Sequence, residues 1–474
     1  MTIEKLEPQA FFGWFAAISK IPHGSKKEEK IKAFLVEFFE SRNIPVETDG
    51  VGNVMAWLPA TAGYEDQPAI LFQAHMDMVC RKDEGVEFDF DNDPIQLVID
   101  GDKLRANGTT LGADNAVGVA TMLAIADDPT IAHPALELLF TACEEQGMVG
   151  IKNFDFSKIK ARRMINMDCG DSHVIAVCSA GKIQTEIHRQ YALTPAGDDE
   201  IVLHLLMDGG LGGHSSLCAD KNRCCCARAM GTLLAEIPGI RLCSFRGVSP
   251  IIKDCTAQIA VPAEKESQIK DALVAGFESI KKCYEVSDPD IKLTVTEGSA
   301  EAGIAAGESK QLSQLLSKLK TSRIELPDSD PDIVSLSILC EAVLEEGKLF
   351  VEVLMRSTEN KEMEQIADFY KKEAAQLGFD LQTVDSYPVW KEDPSSAFRA
   401  KFQKIHTKLY GEEMEIERVP GGIETVFVTK AIPDMDPVGI APTARGAHTT
   451  NEHLFISEVE PYWAIMKAVL ADKE

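Results

Sequence analysis

Over roughly the first 180 residues, short apolar runs of strand type alternate with segments of helical period, and few folds accommodate that alternation. Lys27–Ser41 carries its apolar residues at helical spacing. Ala69–Val79, Leu136–Thr141 and Met164–Met167 are short apolar runs that predict strands. Asn115–Asp127 predicts a helix, with Asp114 at or just before its first turn. Strands and helices in this rhythm build an α/β domain, a mostly parallel mixed sheet flanked by helices.

At 474 residues the chain exceeds the size at which one core stops growing, so two domains are expected. The pattern changes near Cys178–Gly181. From there to about Pro388 it reads strand (IVLHLLM), helix (CCARAMGTLLAEI), strand (AQIAVP), helix (SQIKDALVAGFESIKKCY) and strand (IKLTVTEG). A comparable series follows, with helix KQLSQLLSKLK, strand KLFVEVLMRS and helix NKEMEQIADFYKKEAAQLG. We expect residues 1–182 and 386–474 to form a metal-binding catalytic domain. Residues 183–385 are then an inserted α+β lid of two similar halves.

Acidic residues outnumber basic ones 75 to 48, a formal charge of −27. That balance argues against nucleic acid, whose phosphates need a basic face, and against an anionic membrane. No run approaches the roughly 18 apolar residues of a membrane span. The N-terminal segment MTIEKLEPQAFFGWFAAISK lacks the basic start and apolar core of an export signal, so a cytoplasmic location is expected. Twelve cysteines, three of them adjacent at Cys224–Cys226, show no disulfide framework and read as reduced thiols.

Five places carry candidate chemistry. His75 leaves a strand end in Gln73-Ala74-His75-Met76-Asp77, and an acid two positions on can turn back to orient its ring. Asp114 follows the glycine-rich Gly108–Ala113; it reads either as a helix cap or as a carboxylate bridging two cations. Glu144 and Glu145 follow the strand LELLFTAC, so one can ligate while the other faces a bound water. Asp168 ends MINMD, and His448 lies in a Gly- and Thr-rich loop near the C-terminus. Each alone has an ordinary structural explanation. Together they make a mixed imidazole and carboxylate set, suited to zinc, cobalt or manganese and not to an all-oxygen calcium cage.

With those residues the chain resembles the M20 family of metallopeptidases, and within it the cytosolic dipeptidase branch. The likeness rests on FQAHMDMVC, FDFDNDPIQLVIDGDKLRANGTTLGADN, FTACEEQGMVG, INMD, GGLGGHSS, EEGKLFVEVLMRS and DMDPVGIAPTARGAHTTNE, spread over about residues 20–455. It implies two divalent metals, zinc first and cobalt or manganese as alternatives, bridged by Asp114. His75 and Asp168 complete one site, Glu145 and His448 the other. Asp77 orients His75, and Glu144 is the general base. His214 reaches the substrate carbonyl, Arg356 clamps its terminal carboxylate and Glu424 meets its ammonium. Some positions depart from the family pattern: Ser216 and Cys225 in the lid, Leu339 for an expected Asn, and outside the lid Pro420 for an expected His.

The resemblance implies hydrolysis of dipeptides, Xaa-His or broader, by a metal-activated water. Other amide hydrolases of the family, N-acyl amino acid deacylases and tripeptidases, are the alternative activity. A catalytically silent metal-binding homologue is the alternative class, and an intact Glu144 speaks against it. The expected partner is a small peptide, and the chain is expected to be a homodimer or a monomer.

Overall fold

The computed structural model describes residues 3–213, 218, 221–327 and 329–473. Two compact units emerge, one of Met1–Ser179, Trp390–Val419 and Ile423–Glu474, the other of Ala180–Val389 with Pro420–Gly422.

In the first unit an eight-stranded sheet runs in the order Val46–Thr48, Val54–Leu58, Leu136–Thr141, Ile70–His75, Arg163–Asn166, Asp436–Gly439, Val174–Ser179, Glu415–Val419. The strands from Leu136–Thr141 to Asp436–Gly439 are mutually parallel, so their C-terminal ends share one edge. All six residues of Ile70–His75 and of Leu136–Thr141 are buried, as expected for strands covered on both faces. The strand expected over Ala69–Val79 stops at His75. Beyond it Met76 N–H donates to Thr141 O (2.9 Å) and Met78 N–H to His23 O (3.1 Å), so the chain leaves the ladder where its neighbour ends.

The helix Ala113–Asp127 is apolar on nearly every side, and residues 115–125 are all buried. It lies close to the sheet because Gly118 has no side chain. A Cβ there would stand 2.7 Å from the Cβ of Ala74. The helix carrying Asp114 therefore rests directly on the strand carrying His75. A small antiparallel sheet of Ala444–Arg445, His453–Phe455, Lys103–Ala106 and Leu97–Asp100 ties the loop containing His448 to the segment that leads into that helix.

The second unit is built on one nine-stranded antiparallel sheet, two like halves of four strands each with Ser322–Arg323 added beside Ser335–Glu345. Its first half reads strand Glu200–Asp208, helix Cys226–Ala235, strands Arg241–Val248 and Cys255–Pro262, helix Glu266–Cys283 and strand Lys292–Glu297. The second half repeats that order with Gly181–Gln190, Ala306–Lys318, Ser335–Glu345, Lys348–Ser357, Asn360–Gln376 and Gln382–Tyr387. Across the sheet each half runs fourth, first, third, second strand, and the halves meet where Phe245 pairs with Leu344. The halves are not consecutive, as the sequence pattern suggests; the first interrupts the second. Gly181–Gln190 belongs with Lys348–Ser357, which it pairs along its whole length. All twelve cysteines are free, and Cys224–Cys226 are buried in this unit. Among the described residues no helix is long and apolar enough to cross a membrane.

Candidate metal centre

Three parallel strands deliver acids and a histidine at one edge, where open α/β sheets bind ligands. His75 closes its own strand, Glu144 and Glu145 follow Leu136–Thr141, and Asp168 follows Arg163–Asn166. His448 comes from the loop between Ala444–Arg445 and His453–Phe455, with a left-handed backbone (φ 65°).

Asp114 does not cap its helix. Gly112 occupies the N-cap, and Asp114 and Asn115 hold non-helical backbone angles. The cap bond falls to Asn115, whose Oδ1 accepts the N–H of Gly118 at 3.1 Å. Both oxygens of Asp114 are thereby free to face side chains. Oδ1 lies 2.9 Å from His75 Nε2 and Oδ2 lies 3.3 Å from His448 Nε2. Each imidazole has a second carboxylate: Asp168 Oδ1 at 3.3 Å from His75, and Glu145 Oε1 at 2.8 Å from His448. Donor atoms of His75, Asp114 and Asp168 lie within 4.8 Å of one another, as do those of Asp114, Glu145 and His448, and of His75, Glu144 and Glu145.

Asp77 faces His75 with two of its oxygens. The ring Nδ1 is 3.0 Å from the main-chain oxygen of Asp77 and 3.5 Å from its Oδ1. The carboxylate also accepts the N–H groups of Glu144 (2.9 Å) and Glu145 (3.3 Å) and the hydroxyl of Ser25 (2.7 Å). One buried acid thus fixes the histidine and both glutamates. Ser25, Asn166 and Glu452 escape sequence reading. Asn166 accepts the Asp168 N–H (3.0 Å) and donates to Gln73 (2.5 Å), but nothing in a strand-end Asn announces that role. Glu452 holds the turn before Asp114, and its one sequence signal is its place four residues after His448.

Glu424 is fully buried, with Oε2 accepting from Gln73 Nε2 (2.5 Å) and from the hydroxyl of Thr141. Its Oε1 is buried without a hydrogen-bond partner. In the second unit, Arg356 donates to the Tyr387 hydroxyl (3.0 Å), while its Nε is buried and unpartnered. His214 and Ser216 lie outside the described residues. Leu339 and Cys225 are buried in the apolar core of the second unit.

The site holds more negative charge than its imidazoles balance. Burial, helped by the charge of Asp114, pushes Asp168 up to about 7. Burial pushes Glu424 up to about 8 and Glu144 well above the carboxylate range, with Asp168 adding in both cases. Glu145 is raised as well, chiefly by burial. Between Asp114 and Glu145, His448 rises to about 11. Burial opposes the charge on His75, but Asp168, Asp114 and Asp77 outweigh it and raise His75 as well. Divalent cations relieve such a mismatch, and two nitrogen donors among carboxylates suit a transition metal or zinc. The residues therefore fit a metal centre.

A parallel-sheet edge with this donor set fits a metal-dependent hydrolase. The chain matches Peptidase family M20/M25/M40 over residues 71–472 and belongs to that family. It is 30% identical over 484 aligned positions to the cytosol non-specific dipeptidase of Escherichia coli (strain K12), covering 99% of each chain. Among solved structures, the aminoacylhistidine dipeptidase of Vibrio alginolyticus superposes with a TM-score of 0.81 at 28% identity, covering 100% of this chain and 99% of the other. A tripeptidase from Staphylococcus aureus shares the fold with a TM-score of 0.59 at 15% identity, covering 98% of each chain.

Proposed function

We propose that this chain is a cytoplasmic dipeptidase that hydrolyses unblocked dipeptides, Xaa-His among them, with two divalent metal ions. Zinc is the first candidate, with cobalt or manganese as substitutes. The observation that carries the reading is Asp114, whose two oxygens face different imidazoles, each with a second carboxylate of its own. Asp114 would be the shared ligand, with His75 and Asp168 holding one ion and Glu145 and His448 the other.

Bound there, the ions polarise the substrate carbonyl and make a water acidic enough to lose a proton near neutral pH. Glu144 is the group proposed to take a proton from the attacking water and return it to the leaving amine. Asp77 keeps His75 and the main chain of Glu144 in place. His214 stabilises the oxyanion of the tetrahedral intermediate. Arg356, with a buried and unpartnered Nε, offers its guanidinium fork to the terminal carboxylate. The unpartnered Oε1 of Glu424 is the acceptor available to the substrate ammonium.

The chain acts as a monomer or a homodimer, which sedimentation distinguishes.

The test is a panel of dipeptides with and without C-terminal His, run beside tripeptides and N-acyl amino acids after reconstitution with Zn²⁺, Co²⁺ or Mn²⁺. Dipeptides are cleaved and a chelator stops the reaction. No dipeptide turnover with any metal would sink the reading, and turnover of N-acyl substrates alone would make the protein a deacylase.

A further inference from the structure

The turn that delivers Asp114 is wound around the carboxylate of a residue from another part of the chain. Glu452 is buried, with 2% of its surface exposed. Its Oε2 accepts the N–H groups of Leu111 (2.8 Å) and Gly112 (2.9 Å), and its Oε1 accepts the N–H of Asp114 (3.1 Å). These bonds fall where the helix gives no support, since Asp114 (φ −84°, ψ 100°) and Asn115 (φ −121°, ψ 37°) are non-helical. Gly112 has a φ of 73°, a backbone angle that side chains other than glycine's rarely adopt. Glu452 also closes the loop that carries His448: its own N–H donates to Thr449 O at 3.1 Å.

We infer that Glu452 is a positioning residue that aims Asp114 between the two metal positions, so that one loop supplies His448 directly and the shared carboxylate indirectly. The inference rests on the metal reading above and adds a residue that touches neither metal nor substrate. A bridging ligand serves both ions, whereas His448 serves one. Loss of Glu452 therefore weakens both metal equivalents, and loss of His448 weakens one.

Glutamine is the discriminating substitution. It keeps one acceptor oxygen but turns an NH₂ group toward either the Asp114 N–H or the Leu111 and Gly112 pair. Apo-protein prepared with a chelator is titrated with Co²⁺, following heat and visible absorption. We expect two equivalents in the unmodified protein. Glu452→Gln weakens both by about 10- to 100-fold, the usual scale for groups that orient ligands. Glu452→Asp, which keeps the charge, recovers part of the loss, and His448→Ala weakens one equivalent only. Wild-type affinity for both in Glu452→Gln, or loss of the same single equivalent as in His448→Ala, overturns the inference. A wild-type protein that takes up no metal overturns the metal reading itself, a separate result. Should Glu452→Gln fail to fold, hydrogen exchange of the metal-free wild type decides: the Leu111, Gly112 and Asp114 amides exchange slowly if the clamp is built in. Fast exchange at those amides overturns it.

Discussion

Arg445 grips Asp171 with both terminal nitrogens, Nη1 to Oδ1 at 2.8 Å and Nη2 to Oδ2 at 2.6 Å. Asp171 lies three residues past Asp168, and Arg445 three before His448, so the pair joins the loops that carry one candidate ligand of each metal. The Arg445 side chain is 54% exposed, which keeps the stability of the pair to about 1 kcal/mol or less. We expect Arg445→Met to leave the urea midpoint nearly unchanged while speeding metal loss to a competing chelator several-fold. Unchanged metal loss would remove any positioning role from the ion pair.

Glu144 and its neighbour Glu145 separate catalysis from binding. Glu144 is absent from both ligand sets that share Asp114, so Glu144→Ala is expected to bind metal as the wild type does. Hydrolysis falls by about 10²- to 10⁴-fold, the range for removal of a general base. Metal content by atomic emission and kcat on one dipeptide measure both sides. A variant that keeps its rate would leave the base unassigned.

Gly118→Ala sets two effects against each other. Alanine favours a helix interior by about 1 kcal/mol over glycine. Here the new Cβ would stand 2.7 Å from Ala74 Cβ and 3.0 Å from Met167 Cβ, atoms fixed to neighbouring strand and loop backbone. Overpacking of this kind costs about 1–3 kcal/mol, so it wins. A lower urea midpoint is expected, together with weaker metal binding as the helix carrying Asp114 is pushed outward. A stabilised variant would contradict the close approach.

Acid should weaken the fold through buried neutral histidines. Burial holds His133 below its ordinary value, against the pull of its bond to Pro134 O (2.7 Å), and burial lowers His23 in the same way. The unfolded chain binds these protons near pH 6.5 while the folded chain refuses them, so stability falls as pH drops through 6.5. Each group contributes at most about 1.4 kcal/mol per pH unit below that point. Urea midpoints at pH 7.5 and 5.5 should differ less in His133→Gln than in the wild type. Identical differences would show that His133 takes no part.

A fully buried carboxylate ties two stretches of the second unit together. Asp288 accepts the N–H of Leu211 (2.7 Å) on one oxygen and of Cys224 (2.8 Å) on the other. The adjacent Ser287 hydroxyl donates to Asn222 O at 2.8 Å. Asp288→Asn should speed hydrogen exchange at Leu211 or Cys224. Unchanged exchange at both amides would show that the carboxylate does not protect them.

The strand-end groups were legible because each directly follows an apolar run. A buried strand running out into an acid or a histidine can be seen in one dimension, and His75, Glu144, Glu145 and Asp168 all have that form. Asp114 was legible only as an alternative, cap or bridge. Its neighbour takes the cap bond, since Asn115 accepts the Gly118 N–H. Glu452, Ser25 and Asn166 act through backbone amides or through partners far along the chain, and no local pattern marks such a partner. The same limit hid the interleaving of the two halves in the second unit, where Gly181–Gln190 pairs with a strand more than 150 residues away.

The amino-acid sequence by itself determined the alternation of strands and helices and the chemical identity of the donors. Those depend on period and residue type, which are local. Tertiary structure decided which donors face one another, which oxygen of Asp114 meets which imidazole, and which buried acid holds each turn in place. Those depend on parallel strands ending at a common edge and on a C-terminal loop paired back beside it. Such relations arise from pairing and packing between segments hundreds of residues apart.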